Sequence, residues 1–391
     1  MRLHLLHLPH PLLLSIHMRI LFTRFPLESA YGGAEVQAIG LMEGLIARGH
    51  AVAFLGSCPI LLKLCAEKGI PAAKLEIGPP PVTKTGAVSF LWRKKRMQAL
   101  LKTAFDNFHE IDAIAMLSLS EKLLLTEYAR EKKARVFWIE QDRVGRWLRK
   151  NPWLPALRKL SGKATTVVVS ELSGKIYADE LGFPAKHMAT VPNGIDPEHL
   201  AADGIRKRPA GSALHVGTVA RLTHDKGVDV LIDAIATLDN VSLDIVGSGR
   251  DEHAIKTMTE RVNRKGGRVR MFPKIPEGVG AFYRSLDVFV LPSRDHDPCP
   301  LAPAEAMMLG VATVMTDACG TGNYVAAGRD AIIVKAGDVE ALRQAIVKLQ
   351  DPVIRHAVAD AGKKCAASVF AFNAMIDSYE TLFSGGTLAP T

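Results

Sequence analysis

The chain has 391 residues, 48% of them hydrophobic, and carries 49 Lys and Arg against 40 Asp and Glu, a net charge of +9. That length exceeds what one hydrophobic core usually supports, so two domains are expected, and the apolar share without any low-complexity tract excludes a disordered chain. No uncharged apolar run reaches the roughly 18 residues that a membrane-spanning helix needs.

Residues 1–17, MRLHLLHLPHPLLLSIH, hold a short leucine run interrupted by two prolines and four histidines, with no A-x-A cleavage site after it. They read as an upstream start or tail rather than a signal peptide. From Met18, MRILFTRF predicts a first strand, followed by Gly32-Gly33 and a helix from about Ala34 to Arg48 that Gly49-His50 ends. AVAFLGS predicts the next strand, and others are expected near Ile111 to Met116, Arg135 to Ile139 and Thr165 to Ser170. The pattern then restarts, with strands at Leu214 to Ala220, Ser242 to Val246, Val269 to Phe272, Val288 to Leu291, Val311 to Thr316 and Ile332 to Val334. Helices from about Val339 to Leu349 and beyond Pro352 close the chain. Short apolar strands alternating with amphipathic helices are the mark of parallel βαβ layering, so the fold class is α/β with two Rossmann-like parallel-sheet domains, facing each other across a cleft. The expected division is 1–17, an N-terminal domain over 18–193, a linker over 194–212, a C-terminal domain over 213–368 and a final helix and tail over 369–391.

The five cysteines, at 58, 65, 299, 319 and 365, form an odd number with no CxxC pair. This argues for reduced thiols and a cytoplasmic setting, and against zinc or a disulfide framework. The charge is unevenly placed: residues 18–193 hold 26 Lys and Arg against 16 Asp and Glu, whereas residues 194–391 hold 22 against 24. Within the basic half, Trp92-Arg93-Lys94-Lys95-Arg96 is one cluster, and residues 143–160 carry six basic residues, two tryptophans, four leucines and no acid. This second stretch suits an interfacial helix on anionic lipid, or equally a solvated basic face with its tryptophans in the core, since Pro152 and Pro155 interrupt it. No nucleic-acid-binding motif accompanies the charge.

Residues 291–305, LPSRDHDPCPLAPAE, run from a buried strand through a polar turn into a helix, with seven residues between Asp297 and Glu305. Both carboxylates would border one crevice, and the helix N-terminus would favour an anionic group such as a diphosphate between them. Glu305 lies among Ala and Met, where a carboxylate needs a partner; Asp297 could equally cap the helix. Arg221 and Lys226 sit five apart on a loop after a strand, placed to converge on a diphosphate, with His224 between them reading as an exposed loop residue. Gly32 and Gly33 let backbone approach a phosphate or sugar at a strand-to-helix junction. Gly247-Ser248-Gly249 has Glu252 where a dinucleotide fingerprint needs its third glycine, and reads as a turn.

Taken together, these stretches resemble the retaining glycosyltransferases of family four, of the group 1 type, which have the GT-B fold. LPSRDHDPCPLAPAE is similar to the family's acidic pair, with Asp297 in place of the first Glu and Cys299-Pro300 in place of Phe-Gly. GTVARLTHDKG with Arg221 and Lys226, VPNGID at 191–196, and Gly32-Gly33-Ala34-Glu35 resemble its strand-loop-helix motif, interdomain hinge and first glycine loop. Gly320, Gly322 and Asn323 resemble a further loop near the donor. The resemblance implies that Asp297 contacts the transferred sugar, that Glu305 accepts the ribose hydroxyls, and that Arg221 and Lys226 hold the donor phosphates. Gly32, Gly33, Leu301 and Ala302 would complete the donor site, and the helix around Phe370 to Phe383 would cross back onto the first domain. It is weakest for the acceptor, where Glu140, Gln141 and Asp142 are candidates to hold a hydroxyl or to cap a loop.

The function expected from this is transfer of a hexose-like unit from a nucleoside-diphosphate sugar to a glycan or lipid-linked acceptor, with retention. No cofactor and no metal are called for, because Arg221, Lys226 and helix N-termini supply the positive charge; the triplet Asp295-His296-Asp297 falls inside the acidic motif and reads as a chance match to a metal-binding DxD. Closure about Asn193-Gly194 would exclude water. The expected setting is the cytoplasm, with peripheral contact at the inner membrane face, and nucleic acid is not an expected partner. A sugar-nucleotide epimerase or phosphorylase on the same plan, or a catalytically silent partner subunit, are the competing readings. The first two lack an evident acid/base pair or Schiff-base lysine.

Overall fold

The computed structural model describes residues 18–27, 32–145, 147–201, 214–275 and 278–388. The leading 17 residues and positions 202–212 of the expected linker lie outside the described residues. The chain forms two compact units, one running to Val191 and resuming at Met375, the other spanning Pro192–Ala374.

The first unit is built from β1 (Arg19–Arg24), α1 (Gly33–Ala47), β2 (Ala51–Gly56), α2 (Pro59–Glu67), β3 (Ala72–Lys74), α3 (Lys84–Asp106), β4 (Ala113–Met116), α4 (Leu119–Glu131), β5 (Arg135–Glu140), α5 (Leu154–Ser161), β6 (Thr165–Val168), α6 (Glu171–Lys175) and β7 (Met188–Thr190). Its strands pair in the order β3-β2-β1-β4-β5-β6-β7, parallel throughout. Helices cover both faces of such a sheet, so its strands are apolar almost without alternation; RILFTR and AVAFLG are each buried along five of six residues. A capping box, Ser118 with Glu121, starts α4 directly after β4. Within the basic stretch at 143–160, Leu154, Leu157 and Leu160 of α5 point into the core. Trp153 donates its indole N–H to the carbonyl of Ala87 at 2.9 Å and meets the Phe90 ring edge-on at 4.9 Å. Three leucines at helical spacing gain more by joining a core already present than by waiting for a bilayer.

The second unit comprises β8 (Leu214–Val219), α7 (Val228–Ile235), β9 (Val241–Val246), α8 (Glu252–Arg264), β10 (Arg268–Phe272), α9 (Val279–Arg284), β11 (Val288–Leu291), α10 (Leu301–Met308), β12 (Ala312–Thr316), β13 (Ile332–Val334), α11 (Val339–Lys348) and α12 (Pro352–Val369). The strand order β10-β9-β8-β11-β12-β13 is again all parallel. In both sheets the winding reverses beside the first strand, between β1 and β4 and between β8 and β11, and a crevice opens beyond the carboxyl ends of strands at such a point.

The last helix, α13 (Phe372–Ser384), returns to the first unit. Phe383, fully buried, lies with its ring 4.7 Å from Phe137 and 6.3 Å from Phe22. Arg48 pairs with Asp377 at 2.5 Å and Glu380 at 2.7 Å. A Cβ on Gly44 of α1 would stand 2.5 Å from the Ile376 side chain, so that glycine is what lets the two helices approach.

Candidate active site

The reversal point of the second sheet is formed by the loops after β8 and β11. The β8 loop carries Arg221 and Lys226, and it turns at Gly227, whose φ of 64° lies in the left-handed region. A Cβ there would meet the Pro292 carbonyl oxygen at 2.1 Å, so the two loops touch backbone to backbone only because the residue is glycine. Arg294 fastens them further. Its guanidinium grips Asp229 with hydrogen bonds of 2.5 and 2.6 Å, and its backbone N–H donates to the Asp225 carbonyl at 2.8 Å. Burial opposes the Asp229 charge, but the hydrogen bonds and charge of Arg294 outweigh it and hold that carboxyl below its ordinary range.

On this frame Asp297, 8% exposed, accepts from Lys226 Nζ at 2.5 Å and from Ser293 Oγ at 2.8 Å, both on Oδ2. Its backbone bridges the loop after β12, donating to the Ala318 carbonyl at 2.9 Å and accepting from Gly320 N–H at 2.8 Å. Asp297 therefore does not cap α10, whose N-cap is Pro300. Pro300 has no N–H to give, but its φ of −60° suits the position, and its carbonyl accepts from Thr321 at 2.8 Å. Leu301 and Ala302 form the first turn of α10, half-buried, with amides that the helix itself leaves unpaired. Asn193 of the VPNGID segment donates to the Cys299 carbonyl at 2.8 Å.

Glu305, 6% exposed, points from α10 to α9, where Tyr283 donates its hydroxyl to Oε2 at 2.7 Å. Burial, with the carboxylate beside it, holds the Tyr283 phenol well above its ordinary value, so it remains a donor. The structure thus gathers Lys226, Asp297, Glu305 and the start of α10 around one reversal point. Arg221 lies on the same β8 loop, exposed, and among the described residues its guanidinium makes no ion pair. Tyr283 and Ser293 were not foreseen. A serine four residues before the acidic turn was the only signal available for the second, and nothing in the sequence marked the first. Within the triplet Asp295-His296-Asp297, Asp297 is paired with the Lys226 ammonium, and among the described residues no three His, Cys, Asp or Glu side chains cluster as a metal site. Burial pushes the Cys299 thiol up to about 11 and that of Cys319 to about 12, leaving both protonated and inert.

The remaining candidates belong to the first unit. Gly32 is the N-cap of α1 and Gly33 its first residue, close in sequence to the end of β1. At the reversal point between β1 and β4 lies a cavity of about 420 Å³, walled by Arg24, Lys122, Glu140, Asp142, Trp147 and Tyr177 among others. Glu140 is held on both oxygens, by Lys122 at 2.8 Å and by the Tyr177 hydroxyl at 2.7 Å. Arg24 pairs with Glu35 at 2.8 Å and reaches exposed Asp142 at 3.4 Å. Gln141 is half-buried and does not line the cavity. Two buried donors on the cavity wall, Arg24 Nε and Trp147 Nε1, have no partner among the described residues, which leaves the site able to receive ligand oxygens.

Two family models match the chain in sequence order: that of Glycosyltransferase Family 4 over residues 31–199 and that of Glycosyl transferases group 1 over residues 213–351. Among curated proteins, an exopolysaccharide phosphotransferase of Streptomyces coelicolor is 26% identical over 74% of this chain and 29% of its own length. The lipopolysaccharide core biosynthesis glycosyltransferase LpsE of Rhizobium meliloti is 27% identical over 47% of this chain and 54% of its own. The aligned segments thus span about half the length of such relatives, or less. Anabaena HepE, solved with UDP and glucose, superposes with a TM-score of 0.75 over 94% of this chain and 100% of that one at 18% identity, which establishes a shared GT-B fold. Two parallel-sheet units of that fold, each matched by its own model, show that the chain belongs to the family four, group 1 type of glycosyltransferases.

Proposed function

We infer that the protein moves a sugar from a nucleoside-diphosphate sugar to a hydroxyl of a glycan or lipid-linked saccharide, with retention at the anomeric carbon and without a metal ion. The observation that carries this reading is the set formed at the second reversal point: Lys226 locked to Asp297, an uncommitted Arg221 on the same loop, and buried Glu305 one helix turn inside α10. A diphosphate placed against Arg221, Lys226 and the amides of Leu301 and Ala302 would find its charge offset by fixed groups that need no reorganisation as the bond breaks. Glu305 would hold the ribose hydroxyls and Asp297 those of the sugar. In the reaction the anomeric C–O bond to phosphate breaks and the acceptor oxygen bonds to the same face of that carbon. The acceptor proton passes to the departing phosphate oxygen, so neither carboxylate has to act as acid or base.

The cavity of the first unit is the proposed acceptor site. Asp142, exposed on its wall, and the Arg24 and Trp147 donors left without a partner among the described residues can engage sugar hydroxyls, whereas Glu140, held on both oxygens, shapes the wall. HepE was solved with UDP, and LpsE is named for lipopolysaccharide core biosynthesis, which makes a uridine diphosphate sugar and a lipid-linked saccharide the first pair to try. The proposed setting is the cytoplasmic face of a membrane; among the described residues no helix is long and apolar enough to cross one.

A panel of nucleotide sugars screened for protection against thermal unfolding tests the reading, since a ligand at about 100 times its Kd stabilises by about 2.7 kcal/mol. One donor is expected to protect and to be consumed in the presence of a chelator, and Lys226→Ala with Arg221→Ala is expected to abolish both effects. Protection by none of them, or undiminished transfer by the double variant, would overturn it.

A further inference from the structure

Exposed large hydrophobic side chains are scattered singly over most of the described surface, as at Ile46, Val347 and Val353, and single residues of this kind need no explanation. Helix α3 is different. Its inner side buries Phe90, Met97, Leu101 and Phe105, while its outer side presents Val88 at 52%, Leu91 at 53% and Trp92 at 76% exposure within two turns. The next turn of that outer side carries Lys95 and Arg96, both exposed, and among the described residues neither forms an ion pair. Their neighbours point elsewhere: Arg93 bonds Ser89 and the Pro79 carbonyl, and Lys94 lies over the Trp153 ring at 5.1 Å. No acidic residue occurs in α3 before Asp106.

We propose that this face of α3 docks the protein on a bilayer rich in anionic lipid, with Val88, Leu91 and Trp92 entering the headgroup boundary and Lys95 and Arg96 meeting lipid phosphates. Trp at the edge of an apolar patch suits an interface that is wet on one side, and a basic turn beside it supplies the attraction that brings the helix there. Self-association through the same face would set the Lys95 and Arg96 pairs of two copies close together, which like charge opposes. The chain leads from the cavity of the first unit into this helix: Val82, two residues before α3, and Leu27 are exposed apolar residues that line that cavity. Resting on the transfer reading above, this arrangement selects an amphiphilic acceptor whose lipid stays in the bilayer while its head enters the cavity.

The test is sedimentation of the full chain with phosphatidylcholine vesicles, with and without phosphatidylglycerol, at low and high salt. Binding is expected only to the anionic vesicles and to weaken with salt. Lys95→Gln with Arg96→Gln should lower the partition coefficient roughly 30-fold, at about a factor of five for each basic residue. Leu91→Ser with Trp92→Ser should lower it as well, with the melting temperature kept, because neither side chain is buried. Absence of wild-type binding, equal binding by both variants, or concentration-dependent dimerisation that Leu91→Ser with Trp92→Ser removes would overturn the proposal. Protection by a nucleotide sugar is measured in parallel on the same proteins: if it persists while vesicle binding fails, only the docking surface falls, and if it fails while vesicles bind, only the transfer reading does.

Discussion

Tyr283→Phe isolates one hydrogen bond in the proposed donor pocket. The ring is fully buried and packs edge-on against Phe289 at a centroid distance of 5.5 Å, so phenylalanine keeps that packing and loses only the hydroxyl. That hydroxyl is donated to Glu305 Oε2 at 2.7 Å, and Glu305 is 6% exposed, leaving little room for water to replace it. A hydrogen bond to a charged group contributes about 1.5–3 kcal/mol, and loss of orientation at Glu305 is carried into any ligand it holds. At about 1.4 kcal/mol per decade, the Kd for the nucleotide sugar should rise by about 10-fold and by no more than about 100-fold. Titration calorimetry reads this directly. A Glu305→Gln background supplies the control, since the two losses should not add if they act through one carboxylate. A Tyr283→Phe protein that binds the nucleotide within a factor of two of wild type, with unchanged thermal stability, would refute the role given to this contact and weaken that of Glu305.

Two further outcomes bear on the fold. Phe383→Ala, at a fully buried ring packed on Phe137 and Phe22, should destabilise the first unit by about 3–5 kcal/mol, seen as a lower denaturant midpoint; an unchanged midpoint would show that α13 is not held by this contact. Burial pushes the Glu121 carboxyl up to about 8, against the backbone hydrogen bonds and the positive charges of Lys122 and Arg24. Its folded value exceeds the unfolded one, so its contribution to stability is fully present below about pH 4.5 and is lost as pH rises towards 8. Glu121→Gln should therefore show a smaller fall in melting temperature between pH 5 and 8 than wild type, and identical slopes would count against this assignment.

Much of this architecture is legible in the sequence because parallel strands covered on both faces must be apolar throughout. Val288–Leu291 and Ile332–Val334 have the bounds their composition suggests, and the other expected strands differ by a residue or two at their ends. The edge strands β3 and β7 escape notice, because AAK and MAT are three residues long and only half-buried. Helix α3 escapes for another reason: its midpoint is a run of basic residues around an exposed tryptophan, and tertiary packing on Phe90, Met97 and Leu101 decides which side turns inward. The same principle separates the two Trp-containing basic stretches, since the leucines of α5 find a core while Leu91 and Trp92 do not. In the proposed donor pocket the charged residues announce themselves through spacing. Tyr283 cannot, because its relation to Glu305 depends on how α9 and α10 meet and not on any interval along the chain.

The return of α13 gives the molecule an unusual order of assembly. Residues 192–374 form a unit of their own, inserted between the two stretches that make up the other. At a synthesis rate of about 5–20 residues per second, that insertion takes on the order of 10–40 s to emerge. Throughout that interval the side of the first sheet destined for Phe383, at Phe22 and Phe137, stays bare and adhesive. Helix α13 thus serves as a closing latch, and a nascent chain interrupted before it would present a ready target for chaperones and proteases.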